Sequence, residues 1–295
     1  MPWQQLFCHT NKENQEKISE VMEEHGVLSI TLQDAEDNPV LEPLPGEAPL
    51  WDNLIITALF EEDADLDVLI SLLNQNKLTW KISKLYIERL EDQVWERAWM
   101  DDFQPMQFGD NLWIYPSGYE IPDDESVKIL LDPGLAFGTG THPTTSLCLE
   151  WLDQNPPKDL NSIDYGCGSG ILAIAAIKLG AKHCVATDID PQAITATKDN
   201  MQRNNLPSES ISCYLPEDCP TTPVELLIAN ILSGPLVELY PKLSSFIIDG
   251  GYLVLSGILE EQQTDIVNTY SKSFDNLEVK VLDGWVRVSG TKKLS

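Results

Sequence analysis

Three glycines at positions 166, 168 and 170 follow directly on an acidic residue in the run Asp164-Tyr165-Gly166-Cys167-Gly168-Ser169-Gly170. Between a strand and a helix, such a turn lets backbone N–H groups and the helix N-terminus approach a nucleotide-type ligand. The spacing is Gly-x-Gly-x-Gly and not the Gly-x-Gly-x-x-Gly of a pyrophosphate cradle, and a carboxylate at Asp164 would repel a pyrophosphate. The same carboxylate can pair with the cationic amino end of an aminoacyl sulfonium. The candidate chemistry is therefore methyl transfer from S-adenosylmethionine, with Asp164, Gly166 and Gly168 among the cofactor contacts. Glycine triplets alone do not decide this, and the flanking residues carry the rest.

Asp188 ends the next apolar segment, 22 residues after Gly166, where an acid can accept two hydrogen bonds from ribose hydroxyls. Its other reading is a helix N-cap before Pro191, a role that Asp190 fills at least as well. Further on, Glu217 or Asp218 could face an adenine edge, or both could be solvated turn residues. Asn230, in Ala229-Asn230-Ile231-Leu232, ends a fourth strand and would project into the crevice beside the reactive methyl. An amide carbonyl there can accept a hydrogen bond from a target amine and aim its lone pair, which makes Asn230 the candidate catalytic residue. The competing role is a turn or helix-cap Asn.

Upstream, Leu131 to Thr145 is too rich in glycine and threonine for regular structure and reads as a lid. Gly138 and its neighbours give backbone freedom for closure, Phe137 an apolar surface, and Thr145 a hydroxyl at a helix start. His142 could shuttle a proton, although a lone loop histidine is more often a local hydrogen-bonding residue.

The elements that must position these residues fall into two patterns. Strand Trp3–Cys8, helix Asn11–His25, strand Val27–Leu32, strand Leu54–Phe60, helix Asp65–Leu73 and strand Trp80–Arg89 give the order of a ferredoxin-like α+β domain, residues 1–90. Trp95, Trp99 and Phe103 then recur every four residues, as on one face of a linker helix over 91–106 that Pro105 ends. Residues 107–295 open with a strand pair around Leu112–Tyr115 and strand Val127–Leu131. Strands at Ser162–Asp164, Cys184–Thr187, Ser210–Leu215, Val224–Ala229 and Tyr252–Leu255 then alternate with helices Ile171–Leu179, Pro191–Asn204, Pro235–Ile247 and Glu260–Ser271, before two final strands, Leu277–Leu282 and Trp285–Ser289. That alternation predicts an α/β domain with a mostly parallel sheet.

With 19 basic and 47 acidic residues the chain carries a net charge of −28, a field that repels phosphate backbones and attracts cationic partners. Residues 1–105 are the denser anion, with 7 basic and 22 acidic side chains, as expected of a docking surface for a basic protein. Direct nucleic-acid binding is disfavoured. No stretch approaches the roughly 18 to 20 apolar residues of a membrane span, and Met1 to Gln15 lacks the pattern of a signal peptide, so a cytoplasmic location is expected. The six cysteines form no Cys-x-x-Cys pair, which points to reduced structural thiols and to no metal site.

These segments together resemble the bacterial class I methyltransferases that modify large-subunit ribosomal protein eleven. The resemblance runs the whole chain, through Trp95, Trp99, Phe103 and Pro105, the block Leu131–Thr145, the loop Asp164–Gly170, Asp188-Ile189-Asp190-Pro191 and Asn230-Ile231-Leu232. The lid block is its most specific item. It implies a Rossmann-like, seven-stranded catalytic domain and an N-terminal domain that binds the basic ribosomal protein across a flexible linker. It further implies methylation of that protein's N-terminal α-amine and lysine ε-amines, with cofactor positions at Thr145, Gly166, Asp188 and Asn230. A monomer is expected. Glu225 departs from the Asp that commonly begins the fourth strand in the family, a conservative change. Two other classes stand beside this one: a nicotinamide-dependent oxidoreductase, against which the glycine spacing and Asp164 count, and a binding module that keeps the fold without turnover. A release-factor glutamine methyltransferase would show Asn-Pro-Pro-Tyr where this chain has Asn230-Ile231-Leu232-Ser233.

Overall fold

The computed structural model describes residues 3–36, 51–90, 104–132, 140 and 142–294, and the chain divides into two compact units, Met1–Ala98 and Trp99–Ser295. The predicted linker helix, with Trp95, Trp99 and Phe103, lies outside the described residues, as do Phe137 and Gly138 of the lid.

In the first unit β1 (Trp3–Asn11), α1 (Lys12–Glu24), β2 (Ser29–Asp34), β3 (Asn53–Glu61), α2 (Asp67–Gln75) and β4 (Lys84–Leu90) form the ferredoxin-like arrangement, an antiparallel sheet in the order β2-β3-β1-β4. Period-two alternation makes it one-sided. Leu54, Ile56, Ala58 and Phe60 of β3 and Leu6 and Cys8 of β1 are fully buried with Ile18 and Met22 of α1 and Leu69 and Leu73 of α2. The strand expected from Trp80 begins only at Lys84. Trp80 and Ile82 are buried in strand-like alternation, but Lys81 between them has a φ of 48°, and Trp80 N–H donates to the Asn76 carbonyl in a turn.

The second unit opens with β5 (Met106–Phe108), β6 (Leu112–Tyr115) and β7 (Val127–Leu130), a small separate sheet, and then α3 (Pro143–Gln154). There follow β8 (Asn161–Tyr165), α4 (Ile171–Lys178), β9 (His183–Thr187), α5 (Pro191–Arg203), β10 (Ile211–Tyr214) and β11 (Val224–Asn230). Next come α6 (Ser233–Glu238), α7 (Tyr240–Ser245), β12 (Ile247–Leu259), α8 (Gln263–Tyr270), β13 (Phe274–Leu282) and β14 (Trp285–Lys292). The large sheet has seven strands in the order β10-β9-β8-β11-β12-β14-β13, with β14 antiparallel to both of its neighbours. Strand order reverses between β8 and β11, so a ligand crevice is expected at the carboxyl ends of these two strands. Residues of β11 alternate between two cores: Leu226 and Ile228 pack with α4, Leu227 and Ala229 with α8.

In the second unit three further stretches differ from the sequence reading. The helix expected over Pro235–Ile247 is two short helices, because Pro241 has no N–H to continue the ladder, and Ile247 already belongs to β12. The Tyr252–Leu255 strand extends to Ile247–Leu259, with Gly250 at a φ of 77° near its start. The Glu260–Ser271 helix starts as a 3-10 turn over Glu260–Gln262.

Candidate active site

The glycine turn lies between β8 and α4 with Gly166, Gly168 and Gly170 at φ of 83°, 52° and 78°, left-handed conformations that side chains resist. It is strapped on three sides. Gly166 N–H and Cys167 N–H donate to the Thr187 carbonyl at 2.7 and 3.0 Å, which ties the turn to the end of β9. From α5, Thr197 Oγ1 donates to the Gly168 carbonyl at 3.1 Å and Asn200 Nδ2 to the Ser169 carbonyl at 2.9 Å. Gly168 N–H donates to Asp188 Oδ2 at 2.9 Å.

Asp188 stands at the end of β9 with its second oxygen, Oδ1, accepting from Asp190 N–H at 3.0 Å. The helix cap belongs to Asp190, whose side chain accepts from Gln192 N–H. Asp188 is therefore not the N-cap, and each of its oxygens keeps a lone pair beyond its backbone donor. Beside it Ile189 is 85% exposed, an apolar surface next to a carboxylate that the sequence reading passed over.

Asp164 is not on the open side of the turn. It is fully buried beneath it, with Oδ2 accepting from Ala173 N–H in the first turn of α4 at 3.0 Å and Oδ1 without a partner. Burial pushes its carboxyl up to about 7, the Ala173 bond opposing the rise and nearby Asp188 adding to it.

The structure brings Thr145 and Asn230 together. Thr145, fully buried in the first turn of α3, accepts at Oγ1 from Asn230 Nδ2 at 3.2 Å, joining the helix after the lid to the end of β11. The carboxamide nitrogen is used in this bond, and its Oδ1 is a buried acceptor with no protein partner. The segment after Asn230 is wedged in place. An added Cβ on Gly166 would lie 2.2 Å from Ile231 Cγ2, and one on Gly257 in β12 2.2 Å from the Ile231 carbonyl oxygen. Thr197, Asn200, Ile231 and Gly257 are the supports that sequence reasoning missed. Only Gly257, a glycine inside a strand, left a signal of close backbone approach.

His142 caps α3: its Nδ1 accepts from Thr144 N–H, and the ring meets Trp285 edge-on at 4.7 Å. Partial burial lowers its pKa, which keeps the imidazole neutral. Glu217 and Asp218 are exposed in a turn closed by Asp218 N–H on the Leu215 carbonyl. Glu225 clamps the start of β8 through Asn161 N–H at 3.0 Å. A cavity of about 500 Å³ beside Asn111, Lys158 and Lys178 lies at the opposite, amino-terminal ends of the strands and shares no residue with this crevice.

The family model described as ribosomal protein L11 methyltransferase (PrmA) matches residues 2–293. The chain belongs to the ribosomal protein L11 methyltransferase family. It is 49% identical over 293 residues to the ribosomal protein L11 methyltransferase of Ectopseudomonas mendocina (strain ymp), covering 99% of this chain and 100% of that protein. With that of Pseudomonas putida (strain GB-1) it shares 50% over 294 residues, again 99% and 100% of the two chains. Among solved structures, the ribosomal protein L11 methylase of Lactobacillus delbrueckii subsp. bulgaricus matches at a TM-score of 0.59 and 33% identity, covering 65% of this chain and all of that one. The seven-stranded sheet with its strand-order reversal between β8 and β11 is the class I methyltransferase fold of that family.

Proposed function

We propose that this chain transfers methyl groups from S-adenosylmethionine to the N-terminal α-amine and lysine ε-amines of ribosomal protein L11. The observation that carries the reading is Asn230, whose nitrogen is held by Thr145 while its Oδ1 stays a buried acceptor at the switch point. The residues fit the cofactor. Asp188 has lone pairs for ribose hydroxyls, Ile189 gives an apolar face for adenine, and Gly166 and Gly168 permit close backbone approach. Asp164 lies beneath the turn, where its Oδ2 holds Ala173 N–H at the start of α4, so its part is to support the cofactor loop from below. Phe137 and Gly138 belong to the lid on this reading. When bound, the cofactor supplies a methyl group on a sulfonium, an electrophile open to direct displacement by an amine.

The amine must be neutral when it attacks. At pH 7 its deprotonation costs about 1 kcal/mol for an α-amine and roughly 4 to 5 kcal/mol for a lysine. Asn230 Oδ1 accepts a hydrogen bond from the amine N–H and so turns the nitrogen lone pair toward the methyl. On this reading the proton leaves to water, and His142 serves as the cap of α3, its Nδ1 accepting from Thr144 N–H. Positioning and exclusion of water therefore carry the catalysis, and more of both is needed for lysine.

On the same reading residues 1–90 recognise L11, 91–106 link the units, and the enzyme acts as a monomer in the cytoplasm without direct nucleic-acid contact. The net charge of −28 suits a basic protein substrate. No helix among the described residues is long and apolar enough to cross a membrane. The test is to incubate the enzyme with a labelled methyl donor and unmodified ribosomal proteins. Label on L11 supports the assignment; label on several unrelated proteins, or on none, overturns it.

A further inference from the structure

Arg287 of β14 is only 4% exposed, and among the described residues its guanidinium makes no ion pair. One nitrogen, Nη1, donates to the Leu147 carbonyl of α3 at 3.4 Å, while Nε has no partner. The carboxylates that face it are Glu150 of α3 and Glu278 of β13, and Glu150 is already bonded to Lys280 at 2.5 Å. Burying a guanidinium without a close counter-charge opposes folding, and well-packed apolar replacements of such groups are often neutral or stabilising. Departures from stable local choices of this kind are expected at functional sites.

What Arg287 touches leads to Asn230 by a short route. Leu147 lies two residues beyond Thr145 in α3, so a donor on the Leu147 carbonyl braces the helix just past the turn that carries Thr145 Oγ1, the acceptor for Asn230 Nδ2. The backbone of Asn230 is tied to the same stretch of β14. Asn230 stands in register with Ser256, and Ser256 Oγ donates to the Val286 carbonyl at 3.0 Å. Val286 thus supports the strand residue paired with Asn230, and Arg287 braces the helix whose Thr145 meets its side chain.

We propose that Arg287 is a positioning residue for methyl transfer, bracing α3 at Leu147, just past its first turn, so that Thr145 keeps the Asn230 carboxamide aimed. The proposal rests on the reading of Asn230 as the group that presents the amine. Its test compares Arg287→Met and Arg287→Lys with wild type by thermal unfolding, by kcat and KM for L11, and by the side-chain amide signal of Asn230 in the cofactor-free protein labelled with ¹⁵N-asparagine. Arg287→Met is expected to unfold no earlier than wild type yet to lose about tenfold or more in kcat, with KM for L11 little changed and the Asn230 amide signal shifted. Arg287→Lys, whose ammonium can still donate to the Leu147 carbonyl, is expected to recover part of both. Wild-type kcat in Arg287→Met, or an unmoved Asn230 signal, overturns the proposal. Should Arg287→Met fail to fold, Arg287→Leu, equally unable to donate to the Leu147 carbonyl, decides in its place: reduced kcat at unchanged stability supports the role, and kcat equal to wild type sinks it. If wild type itself transfers nothing to L11, the functional reading falls instead, and the amide signal still tests the link from Arg287 to Asn230.

Discussion

Gly257→Ala strikes the crevice without touching a residue that meets substrate. Gly257 has a φ of 84°, and an added Cβ would lie 2.2 Å from the carbonyl oxygen of Ile231, 2.6 Å from its carbon and 3.1 Å from its nitrogen. All three are backbone atoms, so no side chain can swing aside. Ordinary contact needs about 3.5 Å, and relief therefore requires a main-chain shift of roughly 1 Å in the residue next to Asn230. A misplacement of that size costs on the order of 10²-fold in rate. The left-handed φ adds about 1–2 kcal/mol of instability and the overpacking about 1–3 kcal/mol. For a unit of this size each kcal/mol lowers the melting point by about 2–4 °C, so a fall of roughly 5–15 °C is expected. Gly118→Ala is the control, with a φ of 92° and nothing within 4 Å of the new Cβ. It should lose about 1–2 kcal/mol at most and keep its turnover. The assay pairs thermal unfolding with steady-state methyl transfer to L11. A Gly257→Ala protein with kcat within a few fold of wild type would refute the claim that Ile231 wedges Asn230 into position.

Asp188→Ala should weaken binding of S-adenosylmethionine by about 10²-fold or more, since two hydrogen bonds to a charged acceptor are lost at roughly 1.5–3 kcal/mol each. Calorimetric titration reads this directly, and an unchanged Kd would remove Asp188 from the cofactor site. Asp164 gives a pH prediction. Its carboxyl is held up to about 7 in the folded protein, above the value of roughly 4 in an unfolded chain. The folded state therefore binds the extra proton between these values. Stability falls as pH rises from about 4 to about 7, and the penalty is complete above that. Asp164→Asn, neutral throughout, should be the more stable protein at pH 8, by an amount that shrinks toward pH 5 in urea titrations. A constant difference across that range would show that Asp164 is ionised in the fold.

Much of the fold could be read because apolar periodicity reports burial. The alternation through β3 and the unbroken apolar run of α4 each indicate a face or a core without tertiary knowledge. Where periodicity misled, a local backbone event intervened: positive φ at Lys81 ended a strand-like alternation, and Pro241 split an amphipathic helix. The candidate site was legible at residues whose chemistry is unusual for their place, such as Asp188 after a strand or Asn230 at a strand end. Its supports were not. Thr197 and Asn200 reach the glycine turn from α5 through side-chain hydrogen bonds, and nothing in local spacing distinguishes a threonine on a helix face from one that braces a glycine turn. Asp164 shows the limit from the other side. Its type and place were informative, but only the structure shows the carboxylate buried beneath the turn with one oxygen unpartnered.

The central claim is that this chain methylates L11 with Asn230 presenting the amine. The most direct measurement is the intact mass of unmodified L11 after incubation with S-adenosylmethionine and either the wild-type enzyme or Asn230→Ala. The account predicts mass gains in whole methyl increments with wild type, located by fragmentation at the N-terminal amine and lysines, and almost none with Asn230→Ala over the same time. Unchanged L11 in the wild-type reaction, or equal methylation by the two proteins, would contradict it.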